Sequence, residues 1–188
     1  MKVIKILILP AISVFILCAG CGKPATSNST GGSGDLISGS SDTPNAATNN
    51  YYMPPGPQPK LPTMKIYLGP ETLDAELALT PIQQATGLMY RTNITDETAM
   101  LFVLPEPMRA SFWMTNCPMS ESAAYIGPDG VIEEIHHFEK NDNVPVVATN
   151  DNISYVLEVN DGWYARHNIK TGMDIRTERG SLADTFRK

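Results

Sequence analysis

Apolar and polar residues alternate most clearly in two stretches. Leu73, Ala75, Leu77 and Leu79 interleave with Thr72, Asp74, Glu76 and Ala78. Ile153, Tyr155, Leu157 and Val159 repeat the pattern near the C-terminus. A strict period of two puts one face of a strand in a core, so both stretches predict strands. Residues 65–68 predict a shorter strand, turned by Gly69-Pro70. Residues 100–104 are continuously apolar and predict a buried strand, stopped by Pro105-Glu106-Pro107. Residues 111–114 and 172–175 predict further short strands. Ala123-Ala124-Tyr125-Ile126 runs into Gly127-Pro128-Asp129-Gly130 and then Val131-Ile132. Pro second and Gly fourth suit a type I turn, so this stretch predicts a hairpin.

Helical signals are few. Thr80 can cap a helix, Pro81 suits its first position, and Gln83 completes a capping box. Ile82, Ala85 and Met89 then share a face at helical spacing, and Gly87 ends the element. Residues 163–168 predict a helical turn. Residues 93–97 and 141–152 read as loops. Short strands at close spacing predict a mostly β domain over residues 64–178, a β-sandwich or small barrel with one or two short helices. Residues 179–188 predict a charged, frayed tail.

The pattern before residue 64 is different. Lys2 and Lys5 precede an apolar run from Ile6 to Leu17, then Cys18-Ala19-Gly20-Cys21. A basic start, about a dozen apolar residues and small residues after them describe a signal peptide over residues 1–20. The run is short of the roughly 20 residues that span a bilayer, and Pro10 interrupts it. Ala19-Gly20-Cys21 resembles a bacterial lipobox, although Cys18 stands where that pattern prefers Leu. The resemblance implies lipidation of Cys21, with acyl chains such as palmitate as the anchor. Several chains hold a protein to a membrane where one binds only marginally. Residues 21–63 are rich in Ser, Thr, Asn, Gly and then Pro, and predict a disordered tether. As a flexible coil, such a stretch reaches about 35 Å.

Composition narrows the partners. The chain has 188 residues, 42% of them hydrophobic, which is room for one ordinary domain beside this leader and tether. Its formal charge is −6 and becomes more acidic once Lys2 and Lys5 leave with the leader. A nucleic-acid partner needs a basic footprint, so that class is excluded. An acidic surface is also repelled by anionic headgroups, so membrane attachment falls to the lipid anchor.

Candidate chemistry concentrates between Gly87 and Cys117. Arg91, Asn116 and Glu158 are polar residues inside otherwise apolar boxes. A charge there must be paired if buried, and the sequence predicts Arg91 against Glu158, with Asn116 adding hydrogen bonds. Either this is a buried network that fixes the fold, or it is the polar floor of an aromatic-lined pocket formed with Trp113 and Cys117. Such a pocket could hold a small anion or a peptide group. Cys117 is the one cysteine left in the mature domain once Cys18 is removed and Cys21 lipidated, so it has no internal disulfide partner. His136, His137 and His167 show no spacing that points at Cys117. Neighbours on a strand face opposite ways, so His136 and His137 do not share one ion, and neither a metal nor a cofactor is expected. Met89, Met100 and Met114 lie in apolar runs and read as core.

Five boxes in order resemble the bacterial and archaeal family known as domain of unknown function 192. They are Gly87-Leu88-Met89-Tyr90-Arg91, Met100-Leu101-Phe102, Phe112-Trp113-Met114-Thr115-Asn116-Cys117, Asp129-Gly130 and Tyr155-Val156-Leu157-Glu158. Ala99 replaces a Gly of that pattern, Thr115 a Lys, and Ser120-Glu121-Ser122 stands where Pro-Leu-Asp is usual. Ser122 therefore lacks a carboxylate that many relatives carry. The resemblance implies a small β-rich domain, often secreted or lipid-anchored. Together these readings predict an envelope lipoprotein whose domain binds a protein or small ligand without catalysis. The alternative is a hydrolase or thiol-dependent enzyme using Cys117 or the Arg91 cluster.

Overall fold

The computed structural model describes residues 53–187. The expected signal peptide, Cys21 and residues 21–52 of the expected tether lie outside the described residues. Strands β1 (Thr63–Leu68), β2 (Glu71–Ala78), β3 (Thr98–Met108), β5 (Glu121–Ile126), β6 (Ile132–Phe138), β8 (Ile153–Asn160), β9 (Ile175–Thr177) and β10 (Gly180–Ser181) form one sheet. Their order is β10-β9-β1-β2-β3-β8-β5-β6, and the sheet does not close into a barrel. The short strands β4 (Ser111–Phe112) and β7 (Val146–Val147) pair separately. Helices are short: α1 (Pro81–Thr86), α2 (Trp163–Arg166) and α3 (Leu182–Phe186). The mostly β expectation holds, as an open eight-stranded sheet with three short helices.

The local signals explain these elements. The Thr80 hydroxyl accepts from Gln83 N at 3.3 Å, and Gln83 Oε1 accepts from Thr80 N at 2.9 Å, closing the capping box of α1. At the hairpin, Gly130 N donates to Gly127 O at 3.1 Å, and Gly130 sits at φ 86°, where a side chain would be strained. The expected apolar face of α1 is not found: Ile82 and Ala85 are exposed, and Thr86 is the buried residue. The helix is too short to lay a stripe on the sheet, and it is the following turn that buries Leu88 and Met89.

All neighbouring strands of the sheet run antiparallel except β2 and β3, which are parallel. Parallel neighbours need a crossover connection. Here it is residues 79–97, which carry α1 and the Gly87–Arg91 box over one face of the sheet. That face presents Met100, Phe102, Ala123, Tyr125 and Val156, packed with Leu88, Met89, Met114 and Cys117. The opposite face presents Ile66, Leu73, Leu101, Ala124 and Leu157, packed with Trp163, Tyr164, Ile169 and Leu182. Strands β3, β5 and β8 are therefore covered on both sides, and residues 153–159 are all buried.

Two terminal expectations meet a different structure. Residues 53–62, the end of the expected tether, lie against the domain: Gln58 Nε2 donates to Gln83 O at 3.1 Å and to Gly87 O at 2.8 Å, and Tyr90 Oη donates to Pro54 O at 2.9 Å. The Gln58 amide thus adds a second donor to Gln83 O, which already accepts from Gly87 N at 2.8 Å, and bonds the Gly87 carbonyl beyond α1, contacts that a composition argument could not foresee. The expected frayed tail instead forms β10 and α3, with Leu182 fully buried and Arg187 Nε donating to Tyr155 Oη at 3.1 Å. No helix among the described residues is long and apolar enough to cross a membrane.

Candidate functional site

A row of side chains crosses the sheet under the crossover. Register pairs Glu76 with Met100, Met100 with Glu158, and Glu158 with Ala123. Alternation puts Glu121, two residues before Ala123 on β5, on the same face. Three carboxyl groups thus share one buried surface, with Glu76, Glu121 and Glu158 each less than a tenth exposed.

Arg91 answers only one of them. Its Nη1 donates to Glu76 Oε1 at 2.6 Å and its Nη2 to Glu76 Oε2 at 2.9 Å. The expected Arg91–Glu158 pair is therefore replaced by a two-pronged Arg91–Glu76 pair. Glu76 stands on β2, beneath the crossover that brings Arg91, whereas Glu158 lies beyond β3 on β8. Burial pushes the Glu76 carboxyl up, but the Arg91 hydrogen bonds, the Leu61 N–H at 2.7 Å and the guanidinium charge outweigh it and hold it below its ordinary value. Bonding to Glu76 raises Arg91 above its ordinary value, against the effect of burial.

Glu121 and Glu158 have no such cation in hand. Neither carboxyl oxygen of Glu121 has a hydrogen-bond partner among the described residues. Burial pushes Glu121 up to about 8, although the charge of Arg91 pulls the other way. Burial and then the Glu121 charge push Glu158 well above the carboxylate range. At neutral pH the pair holds at least one proton.

Glu158 opens onto a cavity of about 390 Å³. Its walls come from the turn after α1 (Gly87, Leu88, Met89), from Phe102 and Leu104 on β3, and from Phe112, Trp113 and Met114 around β4. Phe102 and Phe112 meet edge to face with centroids 5.0 Å apart. Exposed Ala85, Met108, Ser111 and Pro145 lie at its rim. Gly87 adopts φ 47°, and a Cβ there would come within 3.3 Å of the Phe102 ring, so this wall requires glycine. Cys117 also lines the cavity. Burial pushes its thiol up, and the Glu121 and Glu158 charges push it further, so it is held as the neutral thiol.

The five residues expected to form one pocket thus divide. Trp113, Cys117 and Glu158 line the apolar cavity. Arg91 lines a separate hollow of about 550 Å³ with Glu76, Gln58 and Lys60. Asn116 lines neither: it takes the left-handed φ of 61°, its carbonyl accepts from Tyr90 N at 2.7 Å, and its amide reaches Met53 Sδ at 4.0 Å. Its part is to hold the Gly87–Arg91 turn. The aromatic pocket therefore has an acidic floor, and its guanidinium lies elsewhere, so a small anion is not matched there.

Glu76 and Glu121 are the residues that sequence reasoning passed over. Alternation placed Glu76 on an exposed face, because the crossover that covers it is not written in β2. Glu121 lay in a polar triplet, yet Glu121, Ala123 and Tyr125 keep period two, a signal that could have found it. Ser122 faces the other way: its hydroxyl accepts from Gly162 N at 2.9 Å. His136 pairs with Glu134 at 2.8 Å and His137 with Asp161 at 2.8 Å, and no metal-holding cluster occurs among the described residues.

Among curated proteins, none matches this chain. A crystal structure of a protein of unknown function from Novosphingobium aromaticivorans DSM 12444 is 31% identical, with a TM-score of 0.60, covering 67% of this chain and 94% of that one. Another, from Sinorhizobium meliloti 1021, is 26% identical with a TM-score of 0.60, covering 64% of this chain and 97% of that one. Its name suggests a transcription regulator. The family model for domain of unknown function 192, described as an uncharacterized ACR, matches residues 64–177, nearly the whole described domain, and the chain belongs to that family.

Proposed function

We propose that the domain is a binding module for a small, largely apolar ligand, held in the cell envelope by lipid at Cys21. The cavity of about 390 Å³ carries this reading. It has the size and the mostly apolar and aromatic walls of a small-molecule site, with Glu158, Gln84, Thr86 and Ser111 as its few polar groups. The short apolar leader ending at Cys21 supports the anchor, and the acidic charge of the chain argues against a nucleic-acid partner. Thiol chemistry gains less support, since Cys117 is buried as a neutral thiol and no histidine lines its cavity.

Titrating the protein with the neutral apolar dye phenylnaphthylamine tests the binding reading. One saturable site is expected, and Ala85→Trp at the rim should block it. Dye uptake that never saturates, or that Ala85→Trp leaves unchanged, would remove the cavity from consideration. For the anchor, Cys21→Ser should release the protein from membranes or leave the precursor uncleaved. A processed, membrane-bound Cys21→Ser protein would refute lipidation there.

A further inference from the structure

We propose that the ligand of this cavity carries one cationic nitrogen with N–H groups, an ammonium on an apolar body, seated against Glu158 with Glu121 behind it. This rests on the cavity being a binding site and names what it selects. Glu158 is the one carboxyl on the lining, and the donors of Gln84 and Thr86 beside it are spent on Ala78 O, Val103 O and Ile82 O. Glu158 lines the cavity at 5% exposure, and behind the lining Glu121, fully buried, has both carboxyl oxygens without a hydrogen-bond partner among the described residues. Buried polar atoms left unsatisfied are costly, and natural structures keep few of them. The Cys117 S–H is a weak donor. The Arg91 fork is already closed on Glu76.

An ammonium brings what is missing, three donors and a positive charge. The walls suit the rest of such a ligand. Phe102, Phe112 and Trp113 offer aromatic surface that attracts a cation and packs an apolar body. No Lys, Arg or His lines the cavity, and the chain is net acidic, so nothing there favours an anion. The titratable groups acting on Glu158 or its neighbour are Glu121 and Tyr125 on β5, Cys117, Tyr164 of α2, and Arg91 through Glu121. Without a bound cation, a proton held by the glutamate pair takes its place. As the ammonium seats, the Glu158 carboxyl gives its proton to solvent and its oxygens accept the N–H bonds.

Calorimetry with three probes of one shape tests this: phenylbutylammonium, phenylbutanol and phenylbutyrate, on the full chain at neutral pH in buffers of different ionisation enthalpy. The ammonium should bind about tenfold or more tighter than the alcohol, with release of a proton, and the carboxylate should bind weakest. Glu158→Gln should erase that preference and the proton release while phenylbutanol still binds. Should Glu158→Gln not fold, Glu121→Gln and the wild-type proton count decide, with a weaker ammonium preference expected in Glu121→Gln. An alcohol bound as tightly as the ammonium, or ammonium binding without proton release, overturns the cation and leaves the cavity reading standing. Tightest binding of the carboxylate overturns it likewise. Failure of all three probes overturns both readings.

Discussion

Arg91 holds Glu76 through two hydrogen bonds of 2.6 and 2.9 Å, and both side chains are largely withdrawn from solvent. The pair ties the crossover turn to β2. Removing either partner leaves a charge with little water and without its hydrogen-bonded counter-ion. Arg91→Ala and Glu76→Ala should each destabilise by about 3 kcal/mol, the low end for a buried pair because some exposure remains. The Glu76 carboxyl is held below its unfolded value, so its stabilisation is full above the unfolded value and fades as pH falls through the folded one. Chemical denaturation of the single and double variants gives the coupling; additive losses would mean that the contact contributes nothing of its own.

Glu121 has the opposite sign. Its folded value, about 8, stands above its unfolded value, so the folded state holds the proton more tightly. Its contribution is full below the unfolded carboxylate value and is lost as pH rises through about 8. The melting temperature should therefore fall from mildly acid to mildly alkaline pH. Glu121→Gln, which cannot ionise, should flatten that fall. An equally steep decline in Glu121→Gln would assign the pH dependence to other groups.

The two tryptophans should behave differently. Trp163 is 1% exposed and its Nε1 donates to Asp96 O at 2.9 Å. Trp163→Ala should cost about 3–5 kcal/mol. Trp113 is half-buried on the cavity wall, so Trp113→Ala should cost about 1 kcal/mol and chiefly weaken dye binding. Thermal unfolding and dye titration of both variants check this. A larger stability loss at Trp113 than at Trp163 would reverse the assignment of wall and core.

Cys117 is 5% exposed and its thiol is pushed up by burial. A thiol reagent should label it slowly in the folded protein and rapidly after denaturation. Fast labelling of the folded protein at neutral pH would instead favour thiol chemistry.

Mild proteolysis should trim the chain before residue 53 and leave a fragment that ends beyond residue 180. Residues 53–62 and the stretch from β10 to α3 carry the contacts that protect them. A core that begins at residue 64 would show that the proline-rich segment detaches readily. Gln58→Ala should speed cutting there by removing its bonds to Gln83 O and Gly87 O.

Local sequence was enough for the elements whose signal lies within a few residues. Period two in residues 73–77 and 153–159, the Thr80–Gln83 capping box and the Gly127–Gly130 turn each rest on short-range geometry. So does the mostly β class, which sums such signals. Trp113, Cys117 and Glu158 stood in the sequence only within a group of five, with nothing local to separate them from Arg91 and Asn116, which the fold sets outside the cavity. What the sequence could not decide was which strands became neighbours. The parallel pairing of β2 with β3 threw residues 79–97 across the sheet, buried Glu76 on a face that alternation marked as exposed, and set Arg91 on it rather than on Glu158. The antiparallel pairing of β5 with β8 brought Glu121 within reach of Glu158, two residues 37 positions apart in the chain, and the crossover then sealed both from water. Charge pairing and desolvation depend on distance through space. Chain position alone does not contain that distance, so the acidic floor of the cavity exists only in the folded molecule.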